Sequence, residues 1–170
     1  MLPDLDFQYS LAYEELRRLA ASVLAGEAYA TISPTTLVHE VWLKLKSSRP
    51  IHAESELHFK RIAARAMRQV LVDAARHRRA AKHGGGLSLV VFDEAVDVAQ
   101  STDEQVLALD GALTELGRHY PRQAEMIESR YFAGLTVPET AELLGVSVAT
   151  INRDWRTARA WLAAELRHAG

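Results

Sequence analysis

Asn152, Arg153 and Arg156 are the side chains of this chain best suited to reading a base sequence. Arginine presents a planar fork of donors that matches the acceptors of guanine, and asparagine pairs a donor with an acceptor as adenine requires. Ser147, Ala149 and Thr150 precede them in the same short stretch and complete a candidate DNA-contact set. A second group has a different chemistry. Arg61, Arg65 and Arg68 recur at steps of four and three, and Arg76, Arg78, Arg79 and Lys82 extend the series. Residues so spaced share one helix face, so they form a ridge of positive charge suited to a phosphate backbone. Solvated helices usually mix signs for pair stabilisation, whereas Leu57 to His83 holds eight Lys/Arg against one Asp. Arg61, Arg65, Arg68, Arg76 and Arg79 are therefore the candidate backbone contacts.

Other chemistries find no support. The seven histidines are scattered, with no His-x-x-x-His pair on a helix face and no glycine-rich phosphate loop before a strand. His39, His58, His77 and His119 read as surface residues. The absence of cysteine removes disulfides, thiol nucleophiles and thiolate metal sites. No catalytic residue, metal ligand or cofactor site is expected.

The elements that must position the reading residues are explicit between Gly134 and Leu162. Thr136 is an N-cap, and Pro138 sits in the first turn, where a missing N–H does little harm. A short helix runs to Leu144 and stops at Gly145, a residue free to take positive φ. Ser147 caps the next helix. Ala141 is small where two helices cross, Gly145 makes the turn, and Ile151 plugs the core between them, as a helix-turn-helix requires. Ile151, Trp155, Ala158, Leu162 and Leu166 form the apolar stripe of the second helix. Its N-terminal end, which carries the polar readers, is the end that enters the major groove in such motifs.

Upstream, the chain reads almost entirely helical. Leu5 to Leu24 forms one helix, ended by Gly26. Ser33 and Pro34 open another, with Leu37, Val38, Val41 and Leu45 inward. Thr36, His39, Glu40, Leu43 and Lys46 fall on its far side, where an exposed leucine is either a docking surface or a single solvated apolar residue. After the break around Pro50 a long helix spans Glu56 to Arg79, with Phe59, Ile62, Ala63, Ala66 and Val70 on its core face. Asp73 lies close to that face and reads as a structural carboxylate paired with a nearby arginine. His83 to Gly86 is a hinge, and Leu87 to Phe92 reads as an extended linker docked on a domain. Further helices run from Thr102 to about Gly117, with acids in the first turn, and from Pro121 through Phe132.

The 170 residues suit one or two small domains. The apolar runs are too short to span a bilayer, and Met1 to Asp6 is acidic and unlike a signal peptide, so a cytoplasmic protein is expected. Net charge is −2, but it is segregated. The basic block at Leu57–His83 is followed by Gly84 to Arg130, with nine Asp/Glu against three Arg. A local basic patch can therefore exist on a slightly acidic protein. The expected fold is all-α: two small helical domains joined by a flexible linker, the second a four-helix domain with the helix-turn-helix.

Leu37-Val38-His39-Glu40-Val41-Trp42-Leu43-Lys44-Leu45 resembles the polymerase-binding helix of extracytoplasmic-function (ECF) sigma factors, the small branch of the sigma-70 family. The stretch from Phe59 to Asp73 resembles their promoter-melting helix. Pro121-Arg122-Gln123-Ala124, Arg130 to Thr136, and Asn152 to Leu162 resemble their second domain. The resemblance implies sigma region 2 over residues 1–83, a linker over 84–101, and sigma region 4 over 102–170. Core RNA polymerase, through its beta-prime clamp and beta flap, and promoter DNA are the implied partners. Thr36, His39, Glu40 and Leu43 would then meet the polymerase. The basic helix and the loop from Lys46 to Leu57 would hold the minus-10 element and a flipped base. The helix-turn-helix would read the minus-35 element, the two weak contacts adding through the linker.

One departure stands out. Family members carry an acidic cluster at the start of the polymerase-binding helix; here the place reads Ser33-Pro34-Thr35-Thr36, with no acid before Glu40. These are ordinary helix-start residues. Phosphorylation of Thr35 or Thr36 would also add a charge of about −1.5 to −2 where a helix dipole favours anions. Control by an anti-sigma factor, by a Ser/Thr kinase or by expression level all fit. A stand-alone helix-turn-helix regulator is the alternative class; it leaves the basic helix unexplained and predicts duplex binding without polymerase.

Overall fold

The computed structural model describes residues 4–24, 32–48, 52–81 and 103–168. Among them the secondary structure is entirely helical: α1 (Leu5–Val23), α2 (Pro34–Ser47), α3 (Glu56–Ala81), α4 (Asp103–His119), α5 (Pro121–Ala133), α6 (Val137–Leu144) and α7 (Val148–His168). The all-α expectation therefore holds. The hinge at 83–86 and the expected linker over 84–101 lie outside the described residues.

Local chemistry explains the helix ends. The Ser33 side chain accepts a hydrogen bond from the Thr36 N–H, and Pro34 occupies the first turn of α2, so two of the end's orphan donors need no further partner. Thr136 and Glu139 form a reciprocal capping box at α6. The Thr136 backbone N–H holds the Glu139 carboxyl below the usual range, against a smaller opposing effect of burial and with the Thr136 hydroxyl and Lys60 adding to the depression.

Gly134 and Gly145 take φ of 64° at the ends of α5 and α6. A Cβ at Gly145 would meet no atom within 4 Å, so only backbone strain opposes a side chain there. Gly145→Ala should therefore cost about 1–2 kcal/mol, and Gly145→Asn less, because asparagine tolerates this region. Urea melts of the three proteins check this ordering; an alanine variant as stable as the parent would show that the turn carries no such strain.

α3 is the central helix. Phe59, Ala63 and Met67 are buried with Leu37, Val38 and Val41 of α2 and Leu16 of α1 in one apolar cluster. Fully burying each of the larger side chains stabilises by about 1.5–3 kcal/mol. Tyr9 of α1 stacks on Trp42 of α2 with ring centroids 4.3 Å apart. Lys60 is buried at 6% exposure, and its ammonium reaches Glu15 at 2.9 Å and Glu56 at 3.3 Å. Burial pulls its pKa down, but the Glu15 and Glu56 carboxylates together outweigh this and hold it above the usual lysine value.

The same helix is also covered on a second face. Ala64, Arg68, Leu71, Ala75 and Arg78 share that face by their spacing, and α4 and α5 pack along α3 there. The small alanines permit close approach, and the buried side chains of α4 to α7 belong to the same apolar cluster as those of α1 to α3. Asp73 corrects one expectation. Its side chain is exposed, meeting Lys44 at 3.3 Å and Arg76 at 4.0 Å, so it pairs with an arginine as expected but does not lie against the core.

Candidate nucleic-acid interface

α6 and α7 meet across a turn built by Gly145 and Ser147. The Gly145 N–H bonds back to the carbonyls of Ala141 and Glu142, and the Thr150 N–H donates to the Ser147 hydroxyl at 3.1 Å. Ala141 is buried between the helices and Ile151 is fully so. Ala158, Leu162 and Leu166 follow on the buried face of α7, and Trp155 is half-buried. With that face inward, Ser147, Ala149, Asn152, Arg153 and Arg156 are exposed at the N-terminal end of α7, and Thr150 is half-buried beside them. The predicted readers are therefore brought together on one exposed end of a helix held in place by its neighbour.

Three residues that the sequence pattern did not single out set the pose of α7. Asp154 is buried, and its carboxylate accepts from Arg122 Nε at 3.0 Å and Nη2 at 2.7 Å. This tie joins the start of α5 to the N-terminal half of α7. Arg130, at the end of α5, lies over the Trp155 ring with its guanidinium carbon 4.1 Å from the centroid. Burial lowers the Arg130 pKa. Asp154 was findable: it stands three residues after Ile151 and four before Ala158, on the apolar stripe. No comparable signal marks Arg122 or Arg130, because their partners lie on another helix.

The α3 ridge is placed differently. Arg65 and Arg79 are exposed. Arg68 is turned into the seam with α4 and α5. Its Nε donates to Asp110 Oδ1 and its Nη1 to Glu128 Oε2, both at 2.8 Å. Its Nη2 donates to the Asp110 carbonyl at 2.9 Å and to the Thr114 hydroxyl at 3.0 Å. Arg61 meets Glu125 at 2.8 Å, Arg76 meets Asp110 at 3.8 Å, and Arg78 meets Asp103 at 2.8 Å. Arg61, Arg68 and Arg76 are thus engaged by acids of the following helices. The segregation of charge along the chain was the signal, since a basic block followed by an acidic one can pair internally.

On α2, Thr36, His39, Glu40 and Leu43 are exposed together, and Thr35 is exposed at its N-terminus. Leu43 is 54% exposed. His39, His77 and His119 lie at the surface as expected; His58 is half-buried, its Nδ1 accepting from the Glu54 N–H at 3.0 Å. Among the described residues no cluster of His, Asp and Glu has the makings of a metal site, and no helix is long and apolar enough to cross a membrane.

No curated protein and no solved structure matches the chain. A family model does, and it covers residues 6–168, which takes in both the α2–α3 segment and the α6–α7 pair. The chain belongs to the ECF sigma factor family.

Proposed function

We propose that this chain binds core RNA polymerase through α2 and directs it to promoters that α7 reads, acting in the cytoplasm as a non-catalytic subunit of transcription initiation. The observation that carries this reading is the exposed set Ala149, Asn152, Arg153 and Arg156 at the start of a helix held by a glycine turn and a buried isoleucine. In this reading α6 and α7 are a helix-turn-helix for the minus-35 element. Residues 1–83 and 102–170 act as two domains on a linker at 84–101. Arg61, Arg65, Arg68, Arg76 and Arg79 serve the minus-10 element, and Thr36, His39, Glu40 and Leu43 serve the beta-prime clamp.

The test is binding of the purified chain to core polymerase, followed by run-off transcription from a promoter library. Binding with new promoter-specific transcripts is the expected result. Duplex binding by the chain alone, with no polymerase bound, would replace this reading with a stand-alone regulator. Thr35 and Thr36 enter as control sites. Both are exposed where family members carry acids, and the Ser33 and Thr36 hydroxyls share a hydrogen bond of 2.8 Å. Phosphorylation by a Ser/Thr kinase is expected to raise polymerase affinity about tenfold, the scale of one to two charge-assisted hydrogen bonds. A Thr35→Ala, Thr36→Ala chain that transcribes in cells like the parent would remove that mode of control and leave an anti-sigma factor or expression level.

A further inference from the structure

Val148 is the first residue of α7 and a large apolar side chain left 44% exposed. It stands beside the exposed Ala149 and Asn152. Folding does not account for it. Val146, on the other side of Ser147, is half-buried and packs against the apolar cluster, whereas Val148 stands outside that cluster. Local helix chemistry does not call for a valine here either. A first helical turn favours proline and acids. α4 follows this rule with Asp103 and Glu104, and α6 with Pro138 and Glu139. The first turn of α7 holds no acid; it offers Val148 and Ala149 to solvent instead. Positions that break a local rule without a gain in packing are where function is to be sought.

We propose that Val148 is a specificity residue of α7: its methyl groups take the C5-methyl of a thymine in the major groove, and so fix a T·A pair close to the adenine that Asn152 reads. The inference rests on the proposed reading of duplex DNA by α7. Thymine is the base whose major-groove edge carries a methyl, and an apolar side chain is what recognises it. Val148 and Asn152 are four residues apart and share a helix face. At 1.5 Å per residue they are about 6 Å apart along the axis, less than two base steps of ~3.4 Å. Both can therefore reach neighbouring pairs from one docked helix. The lack of an acid beside Val148 also lets this tip approach the phosphates without repulsion. Asn152 and Arg153 supply hydrogen bonds; Val148 supplies the contact that tells thymine from cytosine by shape.

The test uses the full chain with core polymerase and the promoter that the run-off library ranks first. Each thymine of its minus-35 element is replaced in turn by deoxyuridine, which lacks the methyl and keeps every hydrogen-bonding group. In the parent, one such replacement should weaken promoter binding by the polymerase complex about fourfold, the effect of one buried methyl group. Val148→Ala should lose a similar factor on the unmodified promoter and little more when that deoxyuridine is present, because both changes remove the same contact. In the library, Val148→Ala should relax the preference for thymine at that position, within two base pairs of the position relaxed by Asn152→Ala. Its melting temperature should match the parent's, since the side chain removed is exposed.

No deoxyuridine effect in the parent would overturn the proposal. So would an effect that persists undiminished in Val148→Ala, or a minus-35 element without thymine. Failure of the parent to give promoter-specific transcripts would instead strike the proposed function. The same scan on a duplex selected by the chain alone would then decide the methyl contact, and a chain that selects no duplex would overturn both.

Discussion

Asn152→Ala with Arg153→Ala should reduce promoter-selective run-off transcription about a hundredfold or more while leaving polymerase binding unchanged. Each bidentate contact to a base edge discriminates by about 1–3 kcal/mol, and two lost together multiply. The prediction is sharp because neither side chain holds the fold. Both are exposed. The Asn152 group used internally is its backbone carbonyl, which accepts from Arg156 Nε at 3.4 Å and survives the substitution. Arg153 lies 3.9 Å from Asp154 but is 69% exposed, so its pairing adds little to stability. The melting temperature should hardly move. Transcripts from the library are the measurement. A variant that keeps the parent's promoter preference would show that α7 does not read sequence.

Arg122→Ala should be the largest single loss of stability among the surface arginines, about 2 kcal/mol, because it strips both donors from a buried carboxylate. The Asp154 side chain is 6% exposed and that of Arg122 48%. The cost therefore falls on the carboxylate left behind and is reduced by the solvent that already reaches the arginine. A fall in melting temperature of roughly 4–8 °C corresponds to this figure for a chain of this size. Arg122→Met with Asp154→Leu should recover most of it, since a buried pair is often replaceable by apolar groups of similar volume. The single variant should also weaken promoter selection, because α7 loses its tie to α5. Unchanged melting of Arg122→Ala would mean that water reaches Asp154 and that Trp155 on Arg130 alone sets the pose.

Much of the structure was legible in the residues. Helix ends depend on groups a few positions apart, and those groups are visible as types in order. Ser33 with Pro34, Thr136 with Glu139, Gly145 and Ser147 each stand where a cap or turn is found. Inward faces were legible for the same reason. Leu37, Val38, Val41 and Leu45 of α2, and Ile151, Ala158, Leu162 and Leu166 of α7, recur at helical spacing and are buried. The exposed polar residues at the start of α7 followed by exclusion from that stripe.

Charged side chains were harder to place, since a charge at helical spacing does not say what faces it. Lys60 sits in a basic series yet is buried between α1 and α3, held by Glu15. Asp73 was expected near the core and is exposed, while Asp154, among the predicted contact residues of α7, is buried. In each case the deciding partner lies on another helix.

By itself the sequence determined the helices, their caps, the α6–α7 turn and the residues that α7 offers to solvent. These rest on backbone hydrogen bonds and side chains within one or two turns, so order and type suffice. Only the tertiary structure decided what the basic face of α3 touches. Arg68 meets Asp110 and Glu128 across 42 and 60 residues of chain. Long-range Coulomb pairing of this kind depends on how whole helices pack, and a ridge of arginine reads the same on paper whether it faces phosphate, water or carboxylates of its own chain.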